Sequence, residues 1–114
     1  MNLFRLFLLA YLLAIVSYTS ITILNHGINL LPQFFGDIAI MAWPGQFNFD
    51  FLGFLTLSAI WTAWRHQFSP GGLVLSALAF FGGMLFLSVY LLVQIGRCEG
   101  DVKILLLGER RAMA

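Results

Sequence analysis

Hydrophobic residues run along this chain in long blocks, with the polar residues gathered between them. Two stretches of 31 residues, 6–36 and 66–96, contain no Asp, Glu, Lys or Arg. A helix needs about 20 apolar residues to cross about 30 Å of hydrocarbon. Backbone inside hydrocarbon must close its own hydrogen bonds, which leaves helices or a closed barrel. The apolar/polar alternation of barrel strands is missing here, so the blocks predict helices. Three membrane spans are expected: 6–24, ending at Asn25-His26-Gly27; 47–64; and 71–95, ending at Gly96-Arg97. The first follows a short basic start like that of a signal peptide. Ser17-Tyr18-Thr19-Ser20 is a poor cleavage site, so this helix is expected to stay.

The stretch 28–43 is apolar but interrupted by Pro32, Gly36 and Asp37. Its length reaches about 24 Å, short for a crossing. Asn29-Leu30-Leu31-Pro32 reads as a helix start and Trp43-Pro44-Gly45 as its end. An interfacial or re-entrant helix is expected, with Gln33 and Asp37 on its polar edge and Trp43 at headgroup depth. A fourth crossing is the rival. Lys and Arg collect on the cytoplasmic side. Three crossings put Arg5 and Arg65 opposite Arg97, Lys103, Arg110 and Arg111; four crossings leave Arg65 alone against the other five. Length favours three, because a buried Asp37 is expensive without a partner.

Composition supports the class. Hydrophobic residues make up 61% of the 114 and charged residues 10%, against about 25% charged in soluble domains. That excludes disorder, a nucleic-acid-binding surface and an ordinary soluble globule. The expectation is one all-α polytopic membrane domain over 1–114, with a juxtamembrane tail at 97–114 and the lipid bilayer as its first partner.

Helices in lipid associate through small residues. At 100° per residue, Gly72, Ser76, Ala79, Gly83, Tyr90 and Gln94 share about 60° of the third span. Gly53, Thr56, Ala59 and Ala63 form a broader stripe on the second, and Ala10, Ala14 and Ser17 one on the first. The three stripes are expected to meet in a bundle; a sharper reading has Thr56, Tyr90 and Gln94 lining a polar cavity.

Ionisable residues within spans are functional candidates. Asp50, one turn into the second span, is the first, with Asp37 beside it in interest. A straight third span would bring Arg97 to the membrane face of Asp50, where the two can pair. Trp43, Trp61, Trp64 and Arg65 read as interface anchors. His26 and His66 fall at opposite faces, so neither a metal site nor a cofactor is predicted. Cys98 is the sole cysteine, which excludes an internal disulfide. In the tail, Asp101 can cap a short helix that Gly108 ends, and its leucines need cover from the membrane surface or a partner.

His26-Gly27, the Pro32–Phe35 element, Asp50 and Trp64-Arg65-His66 follow one another in an order that resembles small bacterial multi-pass membrane proteins of unknown function. The resemblance covers roughly residues 1–97. It implies a bacterial inner-membrane location and assigns no activity. With no catalytic constellation in view, the expected function is that of a non-enzymatic accessory or assembly subunit, as a homo-oligomer or with a membrane-protein partner. The alternative is a minimal transporter or channel protomer that moves ions or protons through Asp50.

Overall fold

The computed structural model describes residues 2–113 and is all-helical, with no strand among them. In chain order the helices are α1 (Asn2–His26), α2 (Leu31–Ile40), α3 (Trp43–Arg65), α4 (Pro70–Arg97), α5 (Val102–Leu107) and α6 (Glu109–Ala112). Two of them, α1 and α4, are by length and composition long and apolar enough to span a membrane; α3, which contains the expected span 47–64, is less apolar and falls short. Proline sits in the first turn of α2, α3 and α4, where its missing N–H costs nothing.

A single residue changes what α4 can do. Gly83 interrupts it with φ 55° and ψ −136°, a combination that is essentially closed to residues with a Cβ. The chain reverses there. His66 lies so close to Gly72 that a Cβ on the glycine would fall 2.5 Å from the His66 Cβ. The same histidine places Nε2 2.5 Å from the Tyr90 hydroxyl. In one unbroken helix, residues 72 and 90 would stand about 27 Å apart. The arm 70–82 therefore runs away from the end of α3, and the arm 84–97 runs back to it. At the turn, Gly83 presses against Phe51 and Leu55 of α3. Each arm is about 20 Å long, less than the roughly 30 Å of a hydrocarbon core. The expected straight span 71–95 is thus a hairpin.

The arms fill the space between the other helices. Ser76 donates to the Ala59 carbonyl of α3 at 2.7 Å, and Ala79 is fully buried. On the returning arm Ile95 packs with Leu8 of α1 and Leu105 of α5 to form the apolar core. The inward positions of α1 are Arg5, Leu8, Leu12, Ile15 and Thr19, one stripe at helical spacing. Ala10 and Ala14 lie on the opposite side and are exposed. The expected small-residue face of α1 therefore does not make the intramolecular contact. Large side chains make it, because the arm 84–97 offers Leu91, Leu92 and Met84 as a surface to fill. Gly53 of α3 is likewise exposed, with open space where a Cβ would go.

Helix α2 is 10 residues long, about 15 Å, which rules it out as a fourth crossing. It leans on the start of α3: a Cβ on Gly45 would overlap the Asp37 carbonyl oxygen, and Asn48 Nδ2 donates to the Phe34 carbonyl at 3.1 Å.

Replacing Gly83 by alanine forces a Cβ into a strained backbone and to 3.2 Å from Phe51 Cζ. The expected loss is about 1–3 kcal/mol of stability, read from unfolding in detergent micelles. Gly53→Ala, in open space on a helix, is expected to be neutral or stabilising by up to about 1 kcal/mol. Equal behaviour of the two variants would show that the hairpin does not depend on Gly83.

Candidate functional site

Arg65 ends α3 and is 6% exposed. A buried guanidinium must spend its donors on acceptors, and the neighbouring elements supply them. Nε donates to the Leu105 carbonyl at 2.7 Å and Nη2 to the Ile104 carbonyl at 3.2 Å. Nη1 donates to the Tyr90 hydroxyl at 3.1 Å, and Cys98 Sγ lies 3.8 Å from Nη2. None of these partners is a carboxylate.

The two carbonyls belong to the last turn of α5, which carries partial negative charge; the Ile104 carbonyl also accepts from the Gly108 amide, and the Leu105 carbonyl is an end acceptor. Trp61 Nε1 takes a third, the Leu106 carbonyl, at 3.0 Å. The terminus of α5 is thus capped by side chains of α3. Its start is capped locally, by the Asp101 carboxylate accepting from the Lys103 and Ile104 amides. Gly108, at φ 83°, turns the chain so tightly over Arg65 that a Cβ would lie 2.5 Å from the Arg65 carbonyl oxygen. Beyond it, Arg111 stacks on the Trp64 ring at 4.2 Å and donates to the Trp64 carbonyl at 3.2 Å. Of the tail's leucines, Leu105 finds its cover within the molecule, at 3% exposed, while Leu106 stays 51% exposed.

Tyr90 joins Arg65 to His66. Arginine can only donate, so the phenol oxygen accepts from Nη1, while the same hydroxyl and His66 Nε2 share a hydrogen bond whose direction is set by the imidazole tautomer. Burial, then the charges of Arg65 and Arg97, hold the His66 pKa below its ordinary 6.5.

A polar pocket of about 400 Å³ opens beside this network, lined by residues that include Arg65, His66, Gln94, Arg97, Glu109 and Arg110. An apolar groove of about 700 Å³ lies elsewhere, between α1, α3, the returning arm and α5, lined by residues including Phe4, Phe51, Trp61 and Leu91. One buried hydroxyl on its wall, Ser58 Oγ, has no hydrogen-bond partner.

The candidates from the sequence are dispersed. Asp50 is exposed on α3, level with the Gly83 turn, while Arg97 lines the pocket at Arg65. The two stand at opposite ends of α3, about 22 Å apart along it. Their expected pairing fails because the reversal at Gly83 carries Arg97 back to the other end. Asp37 accepts from Gln33 Nε2 at 2.9 Å on the surface of α2. Of the packing residues, Gly72, Ala63, Ser76 and Ala79 lie in the α3–α4 contact, and Ala59 supplies its carbonyl there. Thr56 donates to its own helix at Leu52, away from Tyr90 and Gln94. Trp43 is 72% exposed, as a headgroup anchor would be. Arg65 is no surface anchor; it is buried and shared among four residues, Tyr90, Cys98, Ile104 and Leu105, and Trp61 and Trp64 serve the same junction. No group of three or more His, Cys, Asp or Glu able to hold a metal occurs among the described residues.

Comparison with protein-family models, curated proteins and solved structures finds no match. The site is therefore read from its own chemistry.

Arg65→Ala leaves the Leu105 carbonyl without its donor and takes one donor each from the Ile104 carbonyl and the Tyr90 hydroxyl, and is expected to cost about 1–3 kcal/mol. The measurement is limited proteolysis: cleavage after Lys103 and Arg110 should become rapid while the rest of the chain stays protected. Arg65→Lys should not rescue it, since one ammonium cannot fork to Leu105 and Ile104 together. Unchanged cleavage would show that α5 is held by its leucines alone.

The lowered pKa of His66 sets a pH dependence. Above pH 6.5 the imidazole is neutral both folded and unfolded and adds no slope. Below pH 6.5 the unfolded chain takes the proton first, so stability falls with pH until the folded-state pKa is passed. The thermal midpoint in detergent should drop below pH 6.5, and His66→Gln should flatten that drop. An equal slope in both proteins would rule the linkage out.

Proposed function

We propose that this chain is a small non-enzymatic integral membrane protein, an accessory or assembly subunit, in which α1 and α3 cross the bilayer. The arms of α4 enter and leave from one side, and α2 rests at the opposite surface. The observation that carries the reading is the outward aim of the large apolar side chains. Leu8 is the one buried residue of α1, while Leu13, Leu24, Phe54 and Phe81 are 70%, 85%, 66% and 83% exposed. Water is a costly solvent for such a surface and hydrocarbon a good one.

Charge supports the same topology. Arg5 precedes Leu8 by one turn, so it lies at the end of the molecule where Leu8 meets Ile95 and Leu105. Arg65, Arg97, Lys103, Arg110 and Arg111 lie at that end too. With the hairpin in place of a third crossing, all six Lys and Arg fall on one side. That is a stronger bias than either topology weighed from the sequence, and it makes this side cytoplasmic, with both termini inside. The resemblance to small bacterial multi-pass proteins points to the cytoplasmic membrane of a bacterium.

A role as subunit is supported by the face of α1 that the fold leaves open. Ala10, Ala14 and Ser17 are exposed, and small residues let a second helix approach closely in lipid.

Reporters fused after residues 27, 45, 68 and 114 test the topology. Sites 68 and 114 should both report the cytoplasm, and 27 and 45 the other side. A straight third span would separate 68 from 114 and sink the reading. For the role, Ala10→Cys and Ala14→Cys should crosslink to a second chain in native membranes, and Leu12→Cys should not. Absence of any adduct at Ala10 and Ala14 would count against a subunit.

A further inference from the structure

The polar pocket beside Arg65 holds chemistry that the fold itself does not use. Gln94 is 8% exposed and its carboxamide faces the pocket. No hydrogen bond joins that carboxamide to a described side chain, although the backbone carbonyl of Gln94 caps the end of α4 through the Cys98 amide. A carboxamide that lines a pocket offers both a donor and an acceptor to a ligand bound there. Arg97 lies three residues on, one helical turn along the same arm, and Arg110 reaches the pocket from α6. Both are exposed at the pocket, with their donors open to solvent or to a ligand there. Three guanidinium groups thus face one carboxylate, that of Glu109.

We propose that this pocket binds a phosphate group, and that its source is the headgroup of an anionic phospholipid. Charge and donor geometry select the chemistry. Guanidinium groups offer paired N–H donors that match phosphate oxygens, and charge-assisted bonds of this kind are the strong ones. A carboxamide N–H adds a neutral donor at the floor, and the excess positive charge calls for a ligand with negative charge. The lipid as source rests on the topology proposed above. In that topology the pocket lies at the cytoplasmic end of α3, beside Trp64, at the depth of headgroups. Basic pockets between membrane helices on that side suit anionic headgroups.

The test uses the full-length protein in detergent, with native mass spectrometry on mixed micelles of phosphatidylglycerol and phosphatidylcholine. Wild type should retain phosphatidylglycerol in preference to phosphatidylcholine. Arg97→Gln and Arg110→Gln should each weaken that retention by roughly tenfold, the change one charge-assisted bond carries. Gln94→Leu, close in volume, should weaken it while the protein stays folded. Lys103→Gln, on the same side but outside the pocket, should leave it intact. Equal retention of the two lipids would overturn the proposal. So would a Lys103→Gln loss as large as that of the pocket variants, since that would be diffuse surface charge. A parallel arm replaces the lipid by inorganic phosphate and follows thermal stability. Protection by phosphate alone, lost in Arg97→Gln, would keep the phosphate site and overturn the lipid as its source. The topology can fail separately: reporters 68 and 114 on opposite sides, with lipid preference intact, would leave the site standing without its assigned side.

Discussion

The buried charge of Arg65 orders one end of this molecule. Its guanidinium has no carboxylate to neutralise it, so it is stabilised by dipoles: two carbonyls at the negative end of α5 and the hydroxyl of Tyr90. Such an arrangement constrains everything around it. Helix α5 must point its C-terminus at α3, Gly108 must turn the chain within contact of the Arg65 backbone, and the returning arm of α4 must bring Tyr90 within reach. The six residues of α5 are too few to be stable as an isolated helix. They hold because Asp101 caps one end and Arg65 with Trp61 the other, while Leu105 closes the core against Leu8 and Ile95.

That constraint is met only because α4 turns back at Gly83. A straight α4 would carry Tyr90, Gln94 and Arg97 to the level of Asp50, and Arg65 would be left buried with fewer acceptors. The glycine and the arginine are therefore parts of one arrangement, although they lie far apart in the chain. The first arm of α4 supplies the small residues that let it lie close on α3. The second supplies the bulk that fills the space beneath α1.

Helix content, the start of α2, the cap at Asp101 and the stop at Gly108 follow from local rules, and local rules read them from the sequence. Trp43-Pro44-Gly45, expected to end α2, instead opens α3, because proline suits the first turn of a helix, and α2 stops at Ile40. Gly83 was visible as a small residue on a packing face, which is also where the structure uses it. Its second use, as a reversal, leaves no periodic trace, because the apolar run continues unbroken on both sides through Phe80, Phe81, Met84 and Leu85. The α1 face was misread for a related reason. A stripe of alanines marks where helices can approach closely, and says nothing of which partner does so. The Arg65 site was hidden because its acceptors are backbone carbonyls from residues 39 and 40 positions away. Tyr90 and Gln94 could be placed on one face, but only the fold shows that this face meets the end of α3 and not Thr56.

The reversal at Gly83 also bears on how the chain enters a membrane. In the topology proposed above, with both ends of α4 on the cytoplasmic side, the stretch that would be carried through the bilayer is 27–42. It holds one carboxylate, Asp37, and no lysine or arginine. A membrane potential that is negative inside opposes export of a cation and assists export of an anion, by about 2.3 kcal/mol per charge at 100 mV. In that topology biogenesis reduces to inserting α1 and α3 with a small, potential-assisted cargo between them. The α4 hairpin can settle afterwards from the side on which it was made.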